Sequence, residues 1–126
     1  MLPLIIKHNP ASQYYTEERC YINELSNSGA DQAASVARAT VKVGETTRWH
    51  HLEGITERYV MLSGSGRVEI GDLAPANVEP GDVVIIPPGC PQRINNNGQQ
   101  DLVFLAICTP RFEQRFYQDI ELSDAD

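Results

Sequence analysis

Hydrophobic residues in this chain come in short runs divided by glycine, proline and asparagine, a strand-and-turn pattern that sets in near Arg19 and continues to Ile107. Val36 to Val43, Arg58 to Leu62, Gly66 to Ile70, Val83 to Ile86 and Leu102 to Ile107 are rich in Val, Ile, Leu and Phe, whose side chains pack well on a pleated surface. Between the runs stand Ser63-Gly64-Ser65-Gly66, Gly71-Asp72, Pro80-Gly81, Pro88-Gly89 and Asn95-Asn96-Asn97-Gly98. In Pro80-Gly81 the proline presets φ at the second turn position and the glycine accepts positive φ at the third, which predicts a type II turn. No long segment keeps a 3.6-residue apolar period. Phe112 and Phe116 alone predict one helical turn, within Arg111 to Asp119. Met1 to Glu18, broken by proline, is expected to pack irregularly around the core, and the small, acidic Ser123 to Asp126 to fray. Many short strands with this punctuation predict an all-β sandwich or barrel.

A length of 126 residues suits one domain, spanning 1–126, with a single core. The net charge of -7 excludes the clustered Lys and Arg that nucleic acid or an anionic membrane would require, so neither is an expected partner. No apolar run approaches the roughly 20 residues of a membrane span, and Leu2 to Ile6 is too short for a signal-peptide core. A cytoplasmic location is the expectation. Cys20, Cys90 and Cys108 are too widely spaced for a disulfide framework or a paired-cysteine zinc site, and are expected to be reduced and buried. Cys90, two residues before Gln92, stands nearest the candidate chemistry, either beside a ligand or as a small residue in a tight turn.

That chemistry is carried by two spaced motifs. The first runs Gly44, five residues, His50, His51, Leu52, four residues, Glu57, six residues, Gly64. The second runs Gly81, five residues, Pro87, Pro88, Gly89, two residues, Gln92, three residues, Asn96. Together they resemble the paired motifs of the cupin superfamily, whose fold is a double-stranded β-helix, or jelly-roll barrel, enclosing a pocket. The resemblance implies a core over about 36–107 with packing segments at either end. It also implies four metal ligands, three histidines and a glutamate. Here those places hold His50, Leu52, Glu57 and Gln92, so one histidine and the glutamate match and two do not.

Alternation along a strand would put Thr46, Arg48, His50 and Leu52 on one face and Thr47, Trp49 and His51 on the other, and the resemblance points the first set inward. His51 then faces away, and His8 reads as a surface histidine. His50, Glu57 and Gln92 are the candidate metal ligands. With waters they would make an open, oxygen-rich site for Zn, Mn or Fe that specifies none of them. Arg48, Tyr59 and Gln92 are the candidate ligand-binding residues, Arg48 as the anchor for an anionic group. An Arg48 to Glu57 ion pair in a metal-free pocket is the competing reading of the same residues. Asn96 matches the structural asparagine of the motif. Arg111, Phe112, Arg115, Phe116 and Tyr117 are expected to form a packed C-terminal flap, with lining of the barrel mouth as the other reading. Two functions stay open: a cupin that binds a divalent metal and a small organic ligand, extending to a metal-dependent dioxygenase, isomerase or lyase, and a metal-free small-molecule-binding module. A homodimer is expected, because small cupins pair through sheet edges.

Overall fold

Eleven short strands, in two antiparallel sheets, form the fold of this chain; the structure, a computed structural model, describes residues 1–121. In chain order the strands are β1 Tyr14–Tyr15, β2 Tyr21–Ser26, β3 Ser35–Val41, β4 His50–Leu52, β5 Thr56–Ser63 and β6 Gly66–Ile70. They continue as β7 Ala76–Val78, β8 Val83–Ile86, β9 Gln92–Asn95, β10 Leu102–Thr109 and β11 Tyr117–Asp119. One sheet has the order β1-β2-β3-β10-β5-β8 and the other β11-β4-β9-β6-β7, so strands near in sequence are repeatedly split between the two sheets. This is the jelly-roll, double-stranded β-helix arrangement that the motifs imply. Among the described residues no helix is long and apolar enough to cross a membrane.

Each of the five apolar runs falls in a strand, two of them with the bounds read from sequence, Gly66–Ile70 and Val83–Ile86, while the run read as Val36 to Val43 ends as a strand at Val41. Their inward residues fill the space between the sheets. Along β5, Glu57, Tyr59 and Met61 are buried and their neighbours are less so, a period of two that places all three on the inner face. Met61, Val68, Ile70, Ile86, Ile94 and Leu102 pack into one cluster with Phe104 and Tyr59. Each such side chain contributes about 1.5–3 kcal/mol on leaving water. Leu52, Ile55 and Cys108 form a second cluster, against which Phe112, Phe116 and Tyr117 pack.

Two turns need glycine. Gly81 follows Pro80 at φ +95°, as a type II turn demands. Gly64 combines φ +79° with a close approach, since a Cβ there would stand 2.4 Å from the Asp101 carbonyl oxygen.

The ends differ from expectation. Met1 to Ile6 do not pack on the barrel and lie exposed; the first regular element is the 3-10 turn Pro10–Ser12, capped by the side chain of Asn9, whose carbonyl accepts from Asn23. The helical turn expected within Arg111 to Asp119 is a 3-10 turn, Gln114–Phe116. It is followed by β11, because Tyr117 to Asp119 find ladder partners in Leu52, His51 and His50 of β4. The expected fraying of Ser123 to Asp126 falls outside the described residues.

Candidate functional site

Residues 44 to 49 do not form the continuous strand that simple alternation assumes, and this re-aims the first motif. Thr47, rather than Thr46, is buried; its hydroxyl accepts the Ile94 amide at 2.9 Å. Thr46 instead bridges to Asn95. Regular alternation resumes with β4, where His50 and Leu52 are buried and His51 is half-buried on the other side. Thr47, Arg48, His50 and Leu52 all line a cavity of about 590 Å³ between the sheets. Its far wall comes from the other sheet through Glu57 and Tyr59 of β5 and Ala106 and Cys108 of β10.

His50 is 2% exposed. Its Nδ1 lies 2.7 Å from the Arg48 carbonyl oxygen, so Nδ1–H donates there and Nε2 keeps its lone pair. Nε2 stands 3.4 Å from Glu18 Oε1. Tyr117 stacks on the imidazole with ring centroids 5.0 Å apart. Burial pushes the imidazole below its ordinary pKa, against the opposing pull of the Arg48 carbonyl, Glu57 and Asp119, so the neutral ring is the resting form.

Two carboxyls flank this ring. Burial raises Glu57 to about 7; the His50 ring opposes that, the Glu18 carboxyl adds to it, and Gln92 and Cys108 oppose it further. The Cys108 thiol approaches Glu57 Oε2 at 3.9 Å, while Glu57 Oε1 is buried with no hydrogen-bond partner. Glu18 also rises to about 7, through burial and then the nearby Asp119. Its backbone carbonyl accepts the Arg48 amide at 3.3 Å, which ties the segment after β1 to the entrance of β4.

Gln92 sits directly across the ladder from His50. It is 1% exposed and is not among the residues lining the cavity. Its Oε1 accepts the Tyr59 hydroxyl, and its Nε2 makes no hydrogen bond of normal geometry, although this amide lies near enough to Glu57 to lower the pKa of that carboxyl. The glutamine that stands in the place of the last histidine therefore positions Tyr59 from behind. Burial, with Glu57 and Glu18 nearby, holds the Tyr59 phenol well above its ordinary pKa, so it stays a neutral hydroxyl.

Arg48 lines the cavity but does not serve as the counter-ion of Glu57. Its guanidinium meets Asp119 at 2.6 Å and Glu121 at 3.2 Å, and Arg19 joins the cluster through Glu121. These contacts clamp β11 across the mouth. The expected C-terminal flap is thus partly wall: Phe112, Gln114, Tyr117 and Asp119 all line the cavity. The cysteines also change places. Cys90 is half-buried away from the cavity, near Gly71, whereas Cys20 and Cys108 line it. Burial pushes the Cys20 thiol up to about 12 and raises Cys108 as well, so neither is a thiolate at neutral pH.

Glu18, Tyr117 and Asp119 are among the cavity residues that the motif spacing missed. All three lie outside both motifs and reach the site only because β1 and β11 fold over the barrel mouth. The clue for Glu18 was the cluster of two glutamates before Arg19, which carries no spacing signal of its own.

The donor set does not fit a metal centre of the implied kind. Leu52 offers carbon, the Gln92 oxygen is taken by Tyr59, and the unpartnered atom of Gln92 is a donor. Among the described residues no three His, Cys, Asp or Glu side chains converge as a metal-binding group. The expected trio of His50, Glu57 and Gln92 is close in space, but only His50 and Glu57 line the cavity.

A family model described as the cupin domain matches residues 37–108. The chain is 29% identical over 118 residues to the uncharacterized protein MJ1618 of Methanocaldococcus jannaschii, covering 92% of this chain and 91% of that one. Among solved structures, the nucleoside dehydratase Pac13 superposes with a TM-score of 0.76 at 14% identity, covering 98% of both chains. A Streptomyces variant of that protein with uridine gives 0.76 at 15% identity, over 99% of this chain and 97% of the other. A Thermotoga maritima protein described as a predicted oxalate decarboxylase gives 0.75 at 23% identity, over 85% of this chain and 99% of the other. At these identities the superpositions speak for the fold.

Proposed function

Because the chain belongs to the cupin family, we propose that its cavity binds a small organic ligand and moves a proton on it, as a lyase or isomerase does, with protein side chains as acid and base. The observation that carries this reading is the His50 ring, fixed by the Arg48 carbonyl with Nε2 3.4 Å from Glu18 and with Glu57 beside it. A neutral imidazole can take a proton at Nε2. A carboxyl raised to about 7 is present in both forms near neutrality, so Glu18 or Glu57 can return one. Elimination of water beside a carbonyl, or a proton shift between adjacent carbons, needs such a pair on one side of the ligand. The Tyr59 ring, held through its hydroxyl by Gln92, lines the same wall. Leu52, Phe104 and Phe112 keep water from the reacting groups.

A purely binding module has one observation in its favour: both carboxyls rest partly protonated and could serve as hydrogen-bonding groups without turnover. The two readings separate in deuterium oxide. Incubated with a panel of hydroxy and amino ketones and followed by proton NMR, the protein should exchange or eliminate at the carbon beside the carbonyl. His50→Ala should lose that activity. A panel member that binds in calorimetry without any exchange would leave the binding module.

We also propose a homodimer. The support is the exposed apolar arm Met1 to Ile6, together with Val83 and Ile85, exposed on β8 at the free edge of its sheet. Sedimentation giving a monomer at micromolar concentration would remove it.

A further inference from the structure

The cavity wall is acidic beyond what the proton chemistry needs. Arg19, Arg48, Asp119 and Glu121 form a cluster with equal numbers of opposite charges at the mouth. Glu17, Glu18, Glu24 and Glu57 add further carboxyls to the wall, while Arg48 is the lining residue with a fixed positive charge. Apart from these groups the wall is largely apolar, with Ile22, Leu52, Phe104 and Phe112 among its residues. A carboxylate or phosphate entering this space would meet repulsion at the mouth and again beside Glu57. Arg48 already faces two carboxylates, so it is poorly placed to compensate for that repulsion.

A second observation bears on what enters instead. Glu57 is 8% exposed, lines the cavity, and has Oε1 buried without a hydrogen bond of normal geometry, even though the neutral Gln92 amide lies nearby. A buried carboxylate oxygen with an open lone pair is stabilised by a donor, and most strongly by a charged one.

We infer that the ligand carries a positively charged amine on an apolar body, the amine donating to Glu57 Oε1 with Glu18 close by and the body lying against Leu52, Phe104 and Phe112. This rests on the reading that the cavity takes a small organic ligand, and it reverses the expectation that Arg48 anchors an anionic group. The acidic rim, through Glu17 and Glu24, draws such a cation inward, and the effect weakens with salt.

Three probes of similar size differ mainly in charge: phenethylamine, phenethyl alcohol and phenylacetate. In titration calorimetry with the full-length protein near neutral pH, phenethylamine should bind roughly ten- to a hundredfold more tightly than the alcohol, with phenylacetate weaker than both. Glu57→Gln, checked for folding by its thermal transition, should remove the preference for amine over alcohol. Should that variant fail to fold, the wild-type ranking decides alone. Phenylacetate binding as tightly as the amine, no measurable binding of the amine, or a folded Glu57→Gln protein that keeps the preference would each overturn the inference. So would zinc ions alone binding in the cavity and displacing the amine, because the cation of the site would then be a metal. The readout is equilibrium binding by charge class, so its failure leaves the exchange activity assigned to His50 standing, and loss of that activity leaves the charge ranking standing.

Discussion

The two motifs that match one family at equal spacing end up with unequal work. The first sends His50, Leu52 and Glu57 to the cavity, with a free imidazole nitrogen and an unpartnered carboxylate oxygen. The second sends Gln92 and Asn96 into the solid part of the protein, where both are 1% exposed. Gln92 holds the Tyr59 hydroxyl. Asn96 donates at 2.8 Å to the Val41 and Gln100 carbonyls and accepts the Gly98 amide at 2.9 Å, tying the turn after β9 to the end of β3. The lesson is that replacing one ligand-type residue by another polar residue can change its depth as well as its chemistry. A glutamine that finds a tyrosine behind the wall has no reason to face the ligand.

The sharpest way to break this comparison is to remove the group assigned to chemistry. His50→Ala should slow ligand proton exchange by about a hundred- to ten-thousandfold while the protein still folds, as read by NMR exchange rates and far-UV circular dichroism. An unchanged rate would move the chemistry out of the first motif. The next effect in size belongs to the second motif. Asn96→Ala removes three hydrogen bonds from a buried site and should cost about 2–4 kcal/mol of stability, measured by urea denaturation. Its effect on ligand affinity, compared where the variant is folded, should be small.

A third test concerns Glu57 and pH. Its carboxyl sits at about 7 in the folded protein and ordinarily near 4.5. The native state therefore holds the proton more tightly than the unfolded chain, and stability falls as pH rises through the window from 4.5 to about 7. Glu57→Gln should be more stable than wild type by on the order of 2 kcal/mol at about pH 8 and gain nothing at about pH 5, as thermal melts at both pH values would show. His50 works from the other side: its lowered pKa makes the native state lose stability as pH falls below about 6.5. Taking the difference between the variant and wild type isolates the glutamate. A difference that does not depend on pH would mean that Glu57 is charged throughout, with a cation beside it.

The smallest effect sharpens the contrast between cysteines. Cys90→Ser, away from the cavity, should change stability by no more than about 0.5 kcal/mol and leave phenethylamine affinity unaltered. Cys108→Ser, on the cavity wall beside Glu57, should shift both. Equal sensitivity at the two positions would place the ligand nearer to Gly71 than the cavity lining indicates.

Five strands, β3, β5, β6, β8 and β10, were legible because each holds a run of β-branched and large apolar residues bounded by turn residues, and those are local properties. Gly81 and Gly64 could be placed in turns for the same reason, and the motif spacing carried the jelly roll and the burial of His50, Glu57 and Gln92. Short pieces without a run of their own, such as β1, β7 and β11, exist because a neighbouring edge supplied hydrogen bonds. No local pattern in Tyr117 to Asp119 announces a strand.

The candidate site divides along the same line. Sequence determined which residue types stand at the family positions, and therefore that two of the four usual ligands are missing. Tertiary structure decided what those residues face. The break in alternation before β4 brought Thr47, rather than Thr46, to the same cavity as Arg48 and His50; Asp119 and Glu121 engaged Arg48; Tyr59 took the oxygen of Gln92; and Glu18 arrived from a segment outside both motifs. Each outcome depends on partners distant in the chain, because a side chain's charge state and hydrogen bonds are set by whatever groups burial brings within a few ångströms of it.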